Sequence, residues 1–224
     1  MEIHAVYDVF LRRFRGARMR AFAEVFGPVP STTILDVGGT PYNWQLLGTP
    51  GRVTLVNLEL PPEGVDGLPP DMICVIGSGT ELDFESGSFD VAFSNSVIEH
   101  LGSWPAQQAF AAELRRVGRG VWVQTPARGF PVEPHLMGLF IHWLPRSWQR
   151  RLVRWTTGWG WLSRPSPERI EAMLDELRLL DEAEMRQLFP DCEIRRERFL
   201  GLTKAYLAVR SPAAAVASGP GGDA

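Results

Sequence analysis

Residues 32–40 read TTILDVGGT, a short apolar run that ends in two glycines. A run of this kind is typical of a buried parallel strand followed by a tight turn. Glycine lets the backbone turn sharply and approach a ligand without an intervening side chain. Ligands of open parallel sheets bind beyond the carboxyl ends of the strands. We therefore expect Asp36, Gly38 and Gly39 to face a ligand.

The same strand pattern recurs along the chain. Short apolar runs bounded by turn residues lie at 52–58, 72–76, 89–94 and 119–125. A helix is predicted from Pro105 to Val117, between the last two runs, and two closing strands are predicted at 192–199 and 202–209. Strands that alternate with helical segments predict an α/β protein with a parallel sheet covered on both faces.

Three segments fall outside this rhythm. Residues 4–26 carry apolar side chains at spacings of three and four, which predicts an amphipathic helix. Residues 126–165 are rich in proline and tryptophan and are interpreted as an inserted lid. The tail at 211–224 consists of small residues without periodicity, and we expect it to be disordered.

Composition narrows the class of protein. A chain of 224 residues suits one domain with a full core. The net charge of −3 argues against a nucleic-acid binder that works through bulk positive charge. Two cysteines cannot form a disulfide framework or a cysteine-based metal cluster. Neither a signal peptide nor an apolar run of about 20 residues is visible, so the expected location is cytoplasmic.

Four blocks of sequence resemble class I methyltransferases that depend on S-adenosylmethionine (SAM). ILDVGGT (34–40) looks like the first motif of that family, and GTELDFESGSFDVAFSNSVIEHL (79–101) is similar to its adenine loop, fourth strand and following helix start. TPARGFPVEPH (125–135) and FLGLTKAYLAVR (199–210) resemble segments of the ubiquinone/menaquinone-type, type 11 branch. The blocks occur in the family's order, so together they are more specific than any one of them.

This resemblance implies a fold and an organisation. The fold would be a Rossmann-like, doubly wound sheet of seven strands, mostly parallel with an antiparallel last strand, and with helices on both faces. An N-terminal helix (1–30) would precede a SAM-binding domain (31–210) that contains the lid at about 126–165. S-adenosyl-L-methionine would be the cofactor.

The resemblance also assigns cofactor-binding residues. Residues near the methionine part of SAM would be Asp36, Gly38 and Gly39. Residues around the adenine would be Thr80, Glu81 and Leu82. Residues near the sulfonium and the substrate would be Ser94 and Asn95.

The chain departs from the family pattern at several positions. The acid that usually ends the second strand and binds the ribose hydroxyls aligns with Asn57. Glu59 points the same way in a strand and can take that role. Ser78 replaces an aspartate before the adenine loop, and Thr40 or Pro41 stands where a further glycine is common. These changes leave open a second hypothesis, a catalytically inactive SAM-fold protein with a binding or regulatory role.

An NAD-dependent reductase is a third hypothesis of the same fold class. It would require the dinucleotide fingerprint G-x-G-x-x-G, which is absent. None of the three tyrosines stands four residues before a lysine. We therefore discard the reductase hypothesis.

Methyl transfer to a hydroxyl or an amine gains from a general base, and histidine is the usual choice. His135 is the first candidate because it lies on the predicted lid, which is expected to cover the ligand pocket. Glu133 can orient His135 or act as the base itself. His100 follows the fourth strand and is the further candidate. The spacing of Glu133, His135 and His142 fits no standard zinc motif, so no metal site is predicted.

The stretch HWLPRSWQRRLVRWTTGWGW (142–161) combines five tryptophans with four arginines. It is interpreted either as a helical lid packed on the core or as a surface for an apolar acceptor or a membrane interface. With the resemblance to quinone-type enzymes, it favours a small or medium-sized, lipid-like or aromatic acceptor, methylated on oxygen rather than on nitrogen or carbon. The sequence does not predict the oligomeric state.

Overall fold

The computed structural model describes residues 3–48, 51–60 and 67–211. The helices are α1 (Ile3–Phe26), α2 (Pro41–Gln45), α3 (Trp104–Val117), α4 (Arg146–Thr156), α5 (Gly158–Ser163), α6 (Pro167–Glu176) and α7 (Glu182–Leu188). The strands are β1 (Thr33–Val37), β2 (Arg52–Asn57), β3 (Met72–Ile76), β4 (Phe89–Asn95), β5 (Gly118–Pro126), β6 (Val132–Glu133), β7 (Gly138–Leu139), β8 (Glu193–Phe199) and β9 (Leu202–Arg210). Short 3-10 helices occupy Ile98–Leu101 and Ile141–Trp143.

Seven strands form one sheet in the order β3-β2-β1-β4-β5-β9-β8. β1 pairs in parallel with both β2 and β4, and β2 pairs in parallel with β3. A two-residue turn at Leu200 and Gly201, both with positive φ, joins β8 to β9. Such a turn is typical of antiparallel neighbours. The predicted fold class, a mostly parallel Rossmann-like α/β sheet, is confirmed.

The chain divides into two compact units. The first comprises residues 1–95, 112–122 and 209–224, and the second comprises residues 96–111 and 123–208. The division does not follow the predicted boundaries at residues 30 and 31, and the predicted domain limits stay a prediction. The predicted disordered tail lies outside the described residues except for residue 211.

An aromatic cluster forms part of the core of the first unit. The ring of Phe22, on α1, lies edge-on to Trp44, Phe93 and Trp122, with centroid separations of 5.4–5.7 Å. All four side chains are buried. Edge-to-face rings attract one another beyond the free energy of area burial alone. Phe22 therefore connects the C-terminal part of α1 to this core.

The second unit has a core of its own around α4 and α6. Leu136, Ile141, Val153, Ile170 and Leu174 are buried against one another there. The hairpin β6–β7 carries Leu136 in its turn, so packing of this core fixes the position of the hairpin.

Side-chain caps begin two helices of the second unit. The Ser166 side chain accepts a hydrogen bond from the backbone N–H of Arg169 at the start of α6. Asp181 and Glu184 form a complete capping box at the start of α7. Each cap satisfies backbone donors that a helix start leaves open. Within the described ranges, no helix combines the length and the apolar character needed to cross a membrane.

Candidate functional site

The bend after β1, residues 36–40, is built around a buried acid, and we call it the glycine bend. Asp36 is fully buried at the end of the strand. Gly38 has a φ of 73°, a conformation that favours glycine. A Cβ atom on Gly39 would overlap the Asp36 carboxylate. Gly39 therefore makes room for this carboxylate, and a larger residue would displace it.

Only one oxygen of the Asp36 carboxylate receives a hydrogen bond. The indole Nε1–H of Trp44, on α2, donates to Oδ2 over 2.8 Å. Oδ1 is buried and receives no hydrogen bond from the described residues. Burial raises the pKa of Asp36 to about 7, and the Trp44 bond opposes that rise. An unpaired buried acceptor is costly, so Oδ1 is suited to a donor from a ligand.

Asn57 links the glycine bend to the neighbouring strand ends. Its side-chain N–H donates to the Gly39 carbonyl over 3.0 Å, and its own carbonyl accepts from the Gly77 N–H over 2.9 Å. The ends of β1, β2 and β3 therefore meet at one rim of the sheet. Glu59, the second candidate for the ribose hydroxyls, is exposed just beyond β2.

The segment Thr80–Leu82, which we call the Thr-Glu-Leu loop, follows Gly77 by a few residues. The Ser78 and Thr80 hydroxyls form a 2.8 Å hydrogen bond. The Leu82 N–H donates to the Glu113 carboxylate over 2.7 Å. Leu82 is buried and Glu81 is exposed.

A salt bridge on α3 holds the other side of this loop. The Arg116 guanidinium donates to the Leu82 carbonyl over 2.9 Å and also binds the Glu113 carboxylate over 2.7 Å. Mutual hydrogen bonds with Arg116 lower the pKa of Glu113. The loop is thus fixed by a charged pair, on the rim that also carries the glycine bend.

Ser94 and Asn95, predicted to lie near the sulfonium, already have protein partners. The Ser94 hydroxyl is buried and donates to the Val37 carbonyl over 3.0 Å. The Asn95 side-chain oxygen accepts a hydrogen bond from the Arg18 guanidinium on α1. Ser94 therefore ties β4 to β1, and Asn95 ties β4 to α1.

In the second unit, the structure brings the three predicted catalytic residues together. The Nδ1–H of His135 donates to the Glu133 carboxylate over 2.7 Å. The Nε2 atom of His135 lies 3.1 Å from the Nε2 atom of His100. The Leu136 N–H donates to the other oxygen of Glu133, which is fully buried.

Glu99 completes this group, although the sequence did not predict it as a site residue. It is fully buried in the 3-10 helix that also carries His100. The Thr125 hydroxyl donates to its Oε2 atom over 2.9 Å, and its Oε1 atom lies 3.7 Å from His135 Nε2 without a hydrogen bond. We call Glu99, His100, Glu133 and His135 the histidine cluster.

The pKa values of the histidine cluster are shifted in different directions. Burial raises the pKa of Glu99 to about 7, against the attraction of His135. Burial and then the neighbouring His135 lower the pKa of His100 to about 4. Burial also acts to lower the pKa of His135, but the bond and charge of Glu133 and the charge of Glu99 outweigh it, so this pKa is raised. Clusters of perturbed groups are typical of functional sites.

His142 takes no part in the histidine cluster. Its Nε2 atom pairs with the Arg128 carbonyl over 3.0 Å, and burial lowers its pKa. The Glu133, His135 and His142 combination considered from the sequence is therefore not the group that converges.

Sequence reasoning missed Trp44 and Arg18 as well as Glu99. The sequence offered a signal only for Glu99, which is the acid of the Glu-His pair in the block at 79–101. Trp44 and Arg18 act through contacts with Asp36 and Asn95 that sequence spacing does not encode.

A family model described as a methyltransferase domain, of type 11, matches residues 35–120. The match begins in β1 and contains both the glycine bend and the Thr-Glu-Leu loop. No curated protein matches the chain.

Solved structures share the fold at low sequence identity. The chain is similar to 1,6-didemethyltoxoflavin-N1-methyltransferase of Burkholderia thailandensis, at 17% identity and a TM-score of 0.52, covering 92% of this chain and 81% of that one. It is similar to a geranyl diphosphate methyltransferase in complex with SAM, at 14% identity and a TM-score of 0.53, covering 87% and 71%. A structure from Rhodobacter sphaeroides named among the Zn-dependent alcohol dehydrogenases has 15% identity and a TM-score of 0.54, covering 86% and 88%. These likenesses show the fold alone.

The Trp44 bond predicts a measurable effect on Asp36. In Trp44→Phe the donor to Oδ2 is lost, and because that bond favours the ionised carboxyl, the pKa of Asp36 should rise further above about 7. The measurement is an NMR titration of the labelled Asp36 carboxyl carbon. Trp122→Phe is the matched control, since the Trp122 indole is also buried in the aromatic cluster but has no hydrogen-bond partner among the described residues. An Asp36 pKa that stays constant or falls in Trp44→Phe contradicts this assignment.

Proposed function

The chain carries a class I, SAM-dependent methyltransferase domain of type 11, and from this premise we propose which residues hold the methyl donor and which act on the acceptor. S-adenosylmethionine is the cofactor of such a domain. It supplies an electrophilic methyl group on a sulfonium.

We propose that the methionine part of SAM lies against the glycine bend. The observation that supports this placement is the buried Oδ1 atom of Asp36, which receives no hydrogen bond from the part of the chain that the structure describes and can accept one from the ligand ammonium. Gly38 and Gly39 would let the ligand approach the backbone. The residues present therefore fit the cofactor.

We place the adenosine part of SAM against the other residues at the edge of the sheet where β1, β2 and β3 end. Thr80, Glu81 and Leu82 would line the adenine, held in place by the Glu113–Arg116 pair. Asn57 already binds the Gly39 carbonyl. The exposed Glu59 is therefore the better candidate for the ribose hydroxyls, because its carboxylate can accept from both. Ser94 and Asn95 would shape the floor near the sulfonium.

We propose an oxygen acceptor, a hydroxyl of a small or medium-sized apolar molecule. The histidine cluster supports this choice, because an oxygen acceptor gains from a group that helps remove its proton. His135 would take up the proton of the acceptor hydroxyl. Glu133 would orient the His135 ring through its hydrogen bond to Nδ1. His100 would assist from its position beside Nε2 of His135.

The stretch at 142–161, which is rich in tryptophan and arginine, supports a lipid-like acceptor or contact with a membrane. The indoles of Trp148, Trp155 and Trp161 are 58–70% exposed, which is unusual for so large an apolar side chain. A groove of about 570 Å³ is lined by Arg154, Trp155, Gly160, Trp161 and Arg164. Tryptophan and arginine together favour the interface of an anionic bilayer.

The donor site is tested by calorimetry with SAM on Asp36→Asn. Loss of a charge-assisted hydrogen bond should weaken SAM binding about 10- to 100-fold. Since the pKa of Asp36 is raised to about 7, wild-type affinity should fall as the carboxyl takes up a proton below that pH, by up to about tenfold per unit. The variant should lack this pH dependence.

Asp90→Asn is the matched control, because Asp90 binds Thr33 at the opposite end of β1. Its SAM affinity should equal that of the wild type. A folded Asp36→Asn protein with full affinity, or a wild-type affinity that is flat across pH 7, would overturn the placement of the ammonium.

The acceptor atom is tested with ¹³C-methyl SAM and a panel of alcohols, phenols, carboxylic acids and amines. NMR of the labelled methyl should show an O-methyl product. His135→Ala should lower the rate about 10²- to 10⁴-fold with little change in SAM affinity, whereas His142→Ala, outside the histidine cluster, should keep the rate. Labelled N-methyl or C-methyl products, or equal losses in both variants, would refute this proposal.

Membrane contact is tested by co-sedimentation with phosphatidylcholine vesicles with and without phosphatidylglycerol. Wild type should sediment with the anionic vesicles, and Trp155→Ala/Trp161→Ala should remain in solution, because interfacial indoles are lost. Leu58→Ala, at a position 76% exposed in the first unit, is the control and should sediment as wild type does. Identical sedimentation of the double variant and the control would rule out this surface.

A further inference from the structure

Three side chains of the second unit converge on one point. They belong to Glu99, His100 and His135, each of which offers one ligand atom, and these atoms all lie within 4.8 Å of one another. His135 Nε2 is 3.1 Å from His100 Nε2 and 3.7 Å from Glu99 Oε1. The two imidazole rings meet at 86°, so they converge through their nitrogen atoms and are not stacked.

The remaining polar atoms of Glu99 and His135 already have partners. Thr125 donates to Oε2 of Glu99, which leaves Oε1 as the available oxygen. Nδ1–H of His135 donates to Glu133, which directs the lone pair of the neutral ring to Nε2. A carboxylate on the distal nitrogen is the usual support of a histidine that binds a metal.

Glu99 Oε1 supplies the second, independent observation. This oxygen is completely buried and receives no hydrogen bond from the described residues. Leaving a buried carboxylate oxygen without a donor or a cation is expensive. A positive ion at the point of convergence removes that cost.

We propose that Glu99, His100 and His135 bind one divalent transition-metal ion of the Zn²⁺ or Co²⁺ type. Two imidazoles with one carboxylate favour such ions over Mg²⁺ and Ca²⁺, which prefer oxygen ligands. Ligand bonds of about 2.0–2.2 Å in a tetrahedron place ligand atoms about 3.4 Å apart. The observed separations of 3.1 and 3.7 Å lie on either side of that value.

The backbone around the metal ligands is held from several sides. The Gln107 side chain donates to the Ile98 carbonyl over 2.9 Å, and the Arg178 N–H donates to the Glu99 carbonyl over 2.7 Å. The 3-10 helix that carries two of the three ligands is therefore fixed before any ion arrives. Pre-organisation of this kind lowers the entropy cost of binding.

Three protein ligands leave one position of a tetrahedral ion open. Open positions distinguish catalytic from structural zinc sites. An oxygen of the acceptor bound there would have its pKa lowered by the ion. With the ion bound, His135 would hold the ion, and the ion would take the place of His135 as the group that helps the acceptor oxygen lose its proton. This role rests on the proposed function, whereas metal binding itself does not.

The test is a titration of the full chain with Co²⁺, whose visible absorption reports its ligands. Cys74 and Cys192 are both partly accessible, so the titration uses the Cys74→Ser/Cys192→Ser background to remove thiolate sites. We expect one Co²⁺ per chain with a tetrahedral spectrum, and displacement by Zn²⁺. Failure to bind Co²⁺ at millimolar concentration would overturn the proposal.

Variants assign the ligands. Glu99→Gln keeps the shape of the side chain but loses its charge, and His100→Ala and His135→Ala each remove a ligand, so all three should weaken Co²⁺ binding more than 100-fold. Glu133→Gln should weaken it about 10- to 100-fold, as expected for a group that only orients a ligand. His142→Ala is the control and should bind as the background does. Equal binding by Glu99→Gln and the control would overturn the assignment.

The same preparations are titrated with SAM. Co²⁺ binding without SAM binding would contradict the proposed donor site and support the metal site. SAM binding without Co²⁺ binding would do the reverse.

Discussion

The burial of the Asp36 carboxylate constrains the rest of the first unit. A carboxylate with no access to water needs donors, and the fold supplies one through the Trp44 indole while leaving Oδ1 open. Gly39 is required because a Cβ atom there would overlap the same carboxylate. The aromatic cluster fixes Trp44, with Phe93 5.0 Å away between ring centroids. The core of the unit therefore determines how Asp36 is presented to a ligand.

The second unit also contains a fully buried carboxylate, that of Glu99. One of its oxygens accepts a hydrogen bond from Thr125. Its other oxygen receives none from the described residues. Burial raises the pKa of both acids to about 7. The partners proposed for the two open oxygens differ, an ammonium for Asp36 and a metal ion for Glu99. In each unit, the proposed ligand is inferred from the buried oxygen that it would contact.

Sequence patterns predicted the elements well, because periodicity and turn residues are local signals. The strand at 72–76 and the helix that ends at Val117 are found as predicted, and the two closing strands lie within one residue of their predicted bounds. Local signals could not predict the contact between His100 and His135, because these residues lie 35 positions apart in the sequence. Asn57 aligns with the acid that binds the ribose in the family pattern, and its hydrogen bond to the Gly39 carbonyl is a further tertiary contact that the sequence did not indicate. Tertiary hydrogen bonds of this kind leave no periodic trace in the sequence.

We propose above all that Asp36 Oδ1 accepts a hydrogen bond from the ammonium of the methyl donor. A crystal structure with S-adenosylhomocysteine, which keeps that ammonium, tests it most directly. We expect the ligand nitrogen within about 2.7–3.2 Å of Oδ1, with the Trp44 indole still bound to Oδ2. A ligand whose amino group lies elsewhere, with Oδ1 buried and unbonded as before, would contradict it.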